Sequence, residues 1–175
     1  MSDALKELEE ILNVTLPGNL VEEVVKVEEG HFNVFSNATN AFELMKILRE
    51  DAGIYHLTTI SGVEKDDEFN VCYHIQHRIE DEFREVPINF TVTKIDKNKP
   101  KTPSMIDFFV AADYYEREIY DFYGVYFENH PFLQRLILPE RWPDDVKPMR
   151  KEYGWEQIKE ITMKIAKEAL EEAKE

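Results

Sequence analysis

The 175-residue chain has one cysteine, Cys72. No disulfide can close within it, and a lone thiol cannot build a thiolate zinc site or an iron–sulfur cluster. Glycine is scarce too. The six glycines are scattered singly, and neither a Walker loop nor a dinucleotide-binding glycine fingerprint is present. Cations are in deficit, with 21 Lys plus Arg against 36 Asp plus Glu and a net charge of −15. Such a surface repels phosphate backbones and anionic lipid, which argues against nucleic acid as a main partner. Apolar runs are short; Phe108 to Ala112 falls far below the ~20 residues that span a bilayer. Met1 to Glu10 is acidic, lacks an apolar core and does not read as a secretory signal. The expectation is a soluble protein on the cytoplasmic side, reaching a membrane only through partner subunits.

What is present is a globular composition, 43% hydrophobic and 12% aromatic, too apolar for a disordered chain. The length suits one domain that buries roughly 70% of its unfolded surface. Ser2 or Asp3 could cap a helix carrying Leu5, Leu8, Ile11 and Leu12, ended by Pro17-Gly18. Val21 to Val27 and His31 to Phe35 read as strands, and Thr39 or Asn40 opens a helix closed near Gly53. Three strand-like stretches follow, Tyr55 to Ile60, Phe69 to His77 and Val86 to Ile95. Ser61-Gly62, Lys65 to Asp67 and the acidic link Glu80 to Glu82 separate them, and such short links favour antiparallel pairing. After the basic loop Lys97 to Pro103, Ser104 reads as the cap of a helix running to Tyr123, with Gly124 terminating it. Pro131, Pro139, Pro143 and Pro148 break 127–153 too often for a helix or central strand, so it reads as an extended arm. Trp155 to Glu175 is a helix with a narrow stripe of Ile158, Ile161, Ile165 and Ala169. The expected fold is α+β. It divides into a body at 1–126 with a mostly antiparallel sheet packed by helices, an arm at 127–154, and a terminal amphipathic helix at 155–175.

The densest chemistry is Glu116-Arg117-Glu118-Ile119-Tyr120-Asp121-Phe122-Tyr123-Gly124. On a helix, Asp113, Arg117 and Asp121 stand four apart on one face, while Glu116 and Glu118 flank it. Paired carboxylates could serve acid–base chemistry if a cleft separated their pKa values. The blander reading is a charged helix face with weak ion pairs; a third is a network that orients a partner surface. Cys72 and His74 share a strand face, His77 points away, and these do not close a metal site. Lys94, Lys97, Lys99 and Lys101 could attract an acidic partner or simply be solvated. The arm carries Phe127, Phe132, Leu133, Leu136, Ile137 and Leu138. That apolar area either packs on the protein's own domain or grips a larger subunit.

Pro103-Ser104, Ala112-Asp113-Tyr114, the run Glu116 to Phe127, Asn129-His130-Pro131, Leu133, Arg135 and Pro148-Met149-Arg150-Lys151-Glu152 together resemble the signature of the thirty-kilodalton subunit family of NADH-quinone oxidoreductase. That family has counterparts in membrane-bound energy-converting hydrogenases. Tyr114 stands where respiratory members usually have Trp, and Met149 replaces Leu. The resemblance implies a non-catalytic subunit with no cofactor of its own. It would brace a catalytic large subunit, which holds nickel–iron in hydrogenases or lines the quinone site in respiratory enzymes, beside an iron–sulfur small subunit. The interface signature it implies is Glu116, Arg117, Glu118, Asp121, Gly124, His130, Pro131, Leu133, Arg135, Arg150 and Lys151. Arg117, Arg135 and Arg150 would make fork-like bonds across the contact. The corresponding subunit of a respiratory NADH/quinone or sulfur-reducing complex is the alternative. A free-standing carboxylate enzyme or acidic adaptor is the alternative of another class.

Overall fold

The computed structural model describes residues 3–12, 16–28, 30–79 and 84–172. Its elements are α1 (Asp3–Glu10), β1 (Glu23–Glu28), β2 (His31–Asn37), α2 (Ala41–Glu50), β3 (Ile54–Glu64), β4 (Glu68–Ile79) and β5 (Arg84–Asp96). Then follow β6 (Lys101–Pro103), α3 (Ala112–Tyr123), β7 (Tyr126–Glu128) and α4 (Trp155–Glu172). Five strands form one sheet in the order β1-β2-β5-β4-β3, and β6 with β7 makes a second, two-stranded sheet. Every neighbour in the large sheet is antiparallel except β2 with β5, which is parallel. The expected α+β architecture is therefore present. The Ser2 cap, the link at 80–82 and the last three residues of the terminal helix lie outside the described residues.

Alternation decides which face is covered. Phe32 and Val34 of β2, Val71, Tyr73 and Ile75 of β4, and Ile88, Phe90 and Val92 of β5 are all buried. They meet Ala41, Leu44, Met45 and Leu48 of α2 and Ala112 and Ile119 of α3 in one core. Fully burying a side chain of this kind contributes ~1.5–3 kcal/mol before ordering costs. The intervening residues face the other way and bond among themselves. His74 Nδ1 donates to Asn89 Oδ1 at 2.8 Å and Ser61 Oγ meets His74 Nε2 at 2.9 Å. Asn89 Nδ2 reaches His31 Nε2 at 3.0 Å and Asn33 Oδ1 at 2.9 Å. Both His74 nitrogens are thus engaged by neighbouring strands.

Three local expectations change. Ser61-Gly62 is not a turn, because β3 runs through it to Glu64. Gly62 is a strand residue because the Tyr123 ring lies on it, and an added Cβ would stand 3.0 Å from Tyr123 Cε2. The helix expected from Ser104 begins at Ala112. Ser104 N–H donates to Glu128 O at 2.9 Å in the β6–β7 pairing and its hydroxyl turns inward to Glu116, so it is unavailable as a cap for α3. The third change is a pair of short strands, β6 and β7, in stretches that read as loop. Gly124 does close α3, at φ 75° with its N–H bonded to Tyr120 O.

Candidate functional site

α3 organises the site, because its sides do different work. The face bearing Asp113, Arg117 and Asp121 seats the arm. Asp121 is 1% exposed, and one of its oxygens, Oδ2, accepts the N–H groups of Leu136, Ile137 and Leu138 at 2.8, 2.7 and 3.1 Å. Arg117 donates from Nε to Gln134 O at 3.1 Å and from Nη2 to Arg135 O at 3.3 Å. Its guanidinium also stands 5.7 Å from the centre of the Phe132 ring. Asp113 Oδ1 receives the buried His130 through Nε2 at 3.4 Å. His130 Nδ1 accepts from Phe132 N–H at 3.1 Å, which assigns the neutral ring's proton to Nε2.

Two further arginines knit the arm. Arg135 Nη1 donates to Pro139 O at 2.8 Å and Trp142 O at 2.7 Å, and Nη2 meets Asp144 at 2.5 Å. Arg150 Nε donates to Tyr123 O at 2.8 Å, at the end of α3, with its guanidinium 5.2 Å from the Phe69 ring centre. The bonds expected to reach a partner are made here to the protein's own carbonyls. Glu64, which the sequence reading did not single out, fastens the far end of the arm. Its Oε2 accepts from Lys151 N–H at 2.6 Å and its Oε1 lies 2.5 Å from Lys97 Nζ. Burial pushes this carboxyl up, but those two bonds together with the charges of Lys97 and Arg150 outweigh it and hold it below the usual range. A carboxylate at the end of a β-branched strand was the signal that could have revealed it.

The remaining candidates fall in place around this seat. Gly124 lies under Lys147, and a Cβ there would meet Lys147 Cε at 3.2 Å. Leu133 packs against the core, Pro131 and Glu118 are exposed, and the Lys151 side chain points outward. Glu116 flanks the face that seats the arm, about 100° round α3 from Arg117, and is fully buried. Of the basic loop, Lys94, Lys97 and Lys101 pair with Glu22, Glu64 and Glu128 at 2.6, 2.5 and 3.0 Å. Among the described residues no group of three or more His, Cys, Asp or Glu is placed to hold a metal ion, and no helix is long and apolar enough to cross a membrane.

With its backbone fastened inward, the arm turns apolar side chains out. Phe132, Ile137 and Met149 are 56%, 51% and 55% exposed, and Trp155 at the start of α4 is 74% exposed. Beside them an apolar recess of about 410 Å³ opens between Phe122, Leu138, Trp142, Met149, Trp155 and Ile158.

Residues 34–159 match the family described as respiratory-chain NADH dehydrogenase, 30 Kd subunit. The NADH-quinone oxidoreductase C subunit of Rhizobium rhizogenes is 32% identical over 158 residues, covering 87% of this chain and 74% of the relative. Its namesake in Saccharopolyspora erythraea is 30% identical over 132 residues, 74% of this chain but 51% of the relative. The sequence thus spans about half the length of some curated relatives it matches. The F(420)H(2) dehydrogenase C subunit of Methanosarcina mazei is 30% identical over 65% of this chain and 69% of its own. One polypeptide of the archaeal membrane-bound sulfane sulfur reductase shares the fold at TM-score 0.68 and 22% identity, covering 86% of this chain and 85% of that one. The trypsin-resistant fragment of Nqo5 does so at TM-score 0.57 and 20% identity, over 74% and 99%.

Proposed function

The chain belongs to the respiratory-chain NADH dehydrogenase 30 Kd subunit family, and from that premise we propose that it is a non-catalytic scaffold subunit of a membrane-bound, ion-translocating oxidoreductase. Its place is the peripheral module on the cytoplasmic side, where it braces a catalytic large subunit beside an iron–sulfur small subunit. The large subunit holds nickel–iron or lines a quinone site. Nickel–iron and iron–sulfur clusters belong to those partners, and the membrane is reached through them. The body at 1–126 supplies the rigid base, 127–154 the docking arm, and 155–175 a helix that extends the docking surface.

One observation carries this reading. Arg117, Asp121, Arg135 and Arg150 of the signature are engaged in seating the arm's backbone, and the arm's outward side chains are largely apolar: Phe132, Leu136, Ile137 and Met149, with Trp155 beside them. A permanent interface rich in aromatic and aliphatic anchors needs such a surface. The signature side chains therefore act on a partner through the shape they impose on the arm.

A tagged copy purified from mildly solubilised native membranes tests the proposal. The expected result is co-elution with iron–sulfur proteins and a large redox subunit, lost in the double substitution Ile137→Asp with Phe132→Asp while the variant protein stays folded. Recovery of the protein alone from membranes, or redox turnover by it alone, would overturn the proposal.

A further inference from the structure

Glu116 lies beside the arm's seat and takes no part in it. Its carboxyl is fully buried, and its hydrogen-bond partners come from two separate parts of the sequence, β4 and the segment after β6. Oε2 meets the Ser104 hydroxyl at 2.5 Å; Oε1 accepts the Met105 N–H at 2.7 Å and the Tyr73 phenol at 3.3 Å. All three partners are uncharged. A buried carboxylate held only by neutral donors keeps a large desolvation cost that a cation would otherwise offset.

We infer that Glu116, Ser104 and Tyr73 form a buried proton-binding site, which takes up one proton from water and releases it while the heavy atoms keep their places. The geometry allows both states. In the ionised state the Ser104 hydroxyl donates to Oε2. In the protonated state the proton rests on Oε2, and the carboxylic acid donates to Ser104 Oγ, which rotates its own hydrogen away. Ser104 Oγ already accepts the Ile106 N–H at 3.2 Å, so a hydroxyl accepting two donors is within its capacity. Oε1 remains an acceptor throughout. The titratable groups that face the site are the Tyr73 phenol from β4 and Asp113 from the first turn of α3. Asp113 is itself met by His130 from the arm and by Arg117 at 4.0 Å. Burial is the main cause that raises the Glu116 carboxyl to about 7, opposed by the Met105, Ser104 and Tyr73 bonds, with Asp113 adding to the rise. The phenol of Tyr73 is driven up by the same burial and by the carboxylate beside it.

The site has a structural readout. The segment between β6 and α3 hangs from this carboxyl by the Met105 N–H and the Ser104 hydroxyl. Charge-assisted bonds are roughly twice as strong as neutral ones. Proton uptake therefore loosens Met105 locally while relieving the buried charge.

Carbon-13 NMR of the full-length protein labelled at its glutamate carboxyl carbons, titrated between about pH 4 and pH 9, tests this. One glutamate should titrate near neutrality, well apart from the rest, and vanish in Glu116→Gln. Ser104→Ala and Tyr73→Phe each remove a donor to the ionised form, so each should move that midpoint upward. The Met105 amide, corrected for intrinsic exchange, should lose protection as the outlying glutamate gains its proton. A spectrum in which every glutamate titrates in the ordinary acidic range would overturn the inference. So would an outlier that survives Glu116→Gln, or a midpoint indifferent to both donor substitutions. Should Glu116→Gln not fold, the shifts in Ser104→Ala and Tyr73→Phe decide the matter.

Discussion

Asp121 shows how much one side chain can organise. A single carboxylate oxygen collects three consecutive N–H groups, which an extended segment would otherwise leave to water or orphan against the protein. Asp121→Ala removes that acceptor, and we expect a loss of roughly 2–4 kcal/mol in urea unfolding, given the usual value of bonds to a charged acceptor. Asp121→Asn keeps one oxygen and the side-chain volume and should recover about half of it; equal losses for both variants would mean that the carboxylate's charge, and not packing or an acceptor oxygen as such, sets the cost. Gly62 is the second residue whose identity is fixed by a neighbour. In Gly62→Ala the new methyl meets the Tyr123 ring at 3.0 Å, and overpacking of this sort costs typically ~1–3 kcal/mol. The companion variant Gly62→Ala with Tyr123→Leu should regain part of that stability, measured by thermal unfolding.

At the scale of elements, the sheet and α2 were legible because their periodicities are local. Alternating β-branched and aromatic residues gave β3, β4 and β5, and a 3.6-residue stripe gave α2. The parallel contact of β2 with β5 was not legible, since nothing in either strand announces a pairing across roughly fifty residues of intervening sequence. The start of α3 was misplaced for a related reason. Ser104 has the chemistry of a cap, and only the fold brings Glu116 and Glu128 close enough to claim its hydroxyl and its N–H. The signature was visible as a cluster of charges, but its direction was not. A helical wheel puts Asp113, Arg117 and Asp121 on one face without saying whether the protein itself or a foreign subunit will cover that face. α4 stands apart in that none of its residues is buried. Ending the sequence after Gly154 should therefore change the stability of the body, read from its denaturant midpoint, by less than about 1 kcal/mol. A larger loss would show that Ile158, Ile161 and Ile165 are part of the cooperative core.

For the molecule as a whole, carboxyls shifted in opposite directions shape the pH profile, Glu116 upward and Glu64 and Glu22 downward. Glu116 is raised from 4.5 to about 7, so between those values the unfolded protein is ionised there while the folded protein still holds its proton. Stability from this group is full below about 4.5 and is lost as pH rises through about 7. The shift corresponds to about 3 kcal/mol. Glu64 is lowered, so its contribution is present above the ordinary carboxylate range and lost as pH falls through it. Self-repulsion from a net charge of −15 acts in the same direction as Glu116 on the alkaline side. The thermal midpoint should accordingly be highest on the mildly acid side of neutrality and fall toward pH ~8. Glu116→Gln should flatten the fall between about pH 4.5 and pH 7. The sequence pI is 4.8, so the conditions of greatest thermal resistance border on those of poorest solubility, and light scattering should accompany each melt.

The clasps on α3 hold main-chain atoms: three amides under Asp121, two carbonyls under Arg117. Substitutions at 134–138 that leave those atoms in place do not undo the clasp, so the outward side chains there are free to diverge. If the arm docks as proposed, it could be refitted to a different neighbour by changing Leu136 or Ile137 alone, with the buckle beneath left untouched. Grafting the outward residues of a distant relative onto this arm would then transfer its choice of companion without any redesign of the base.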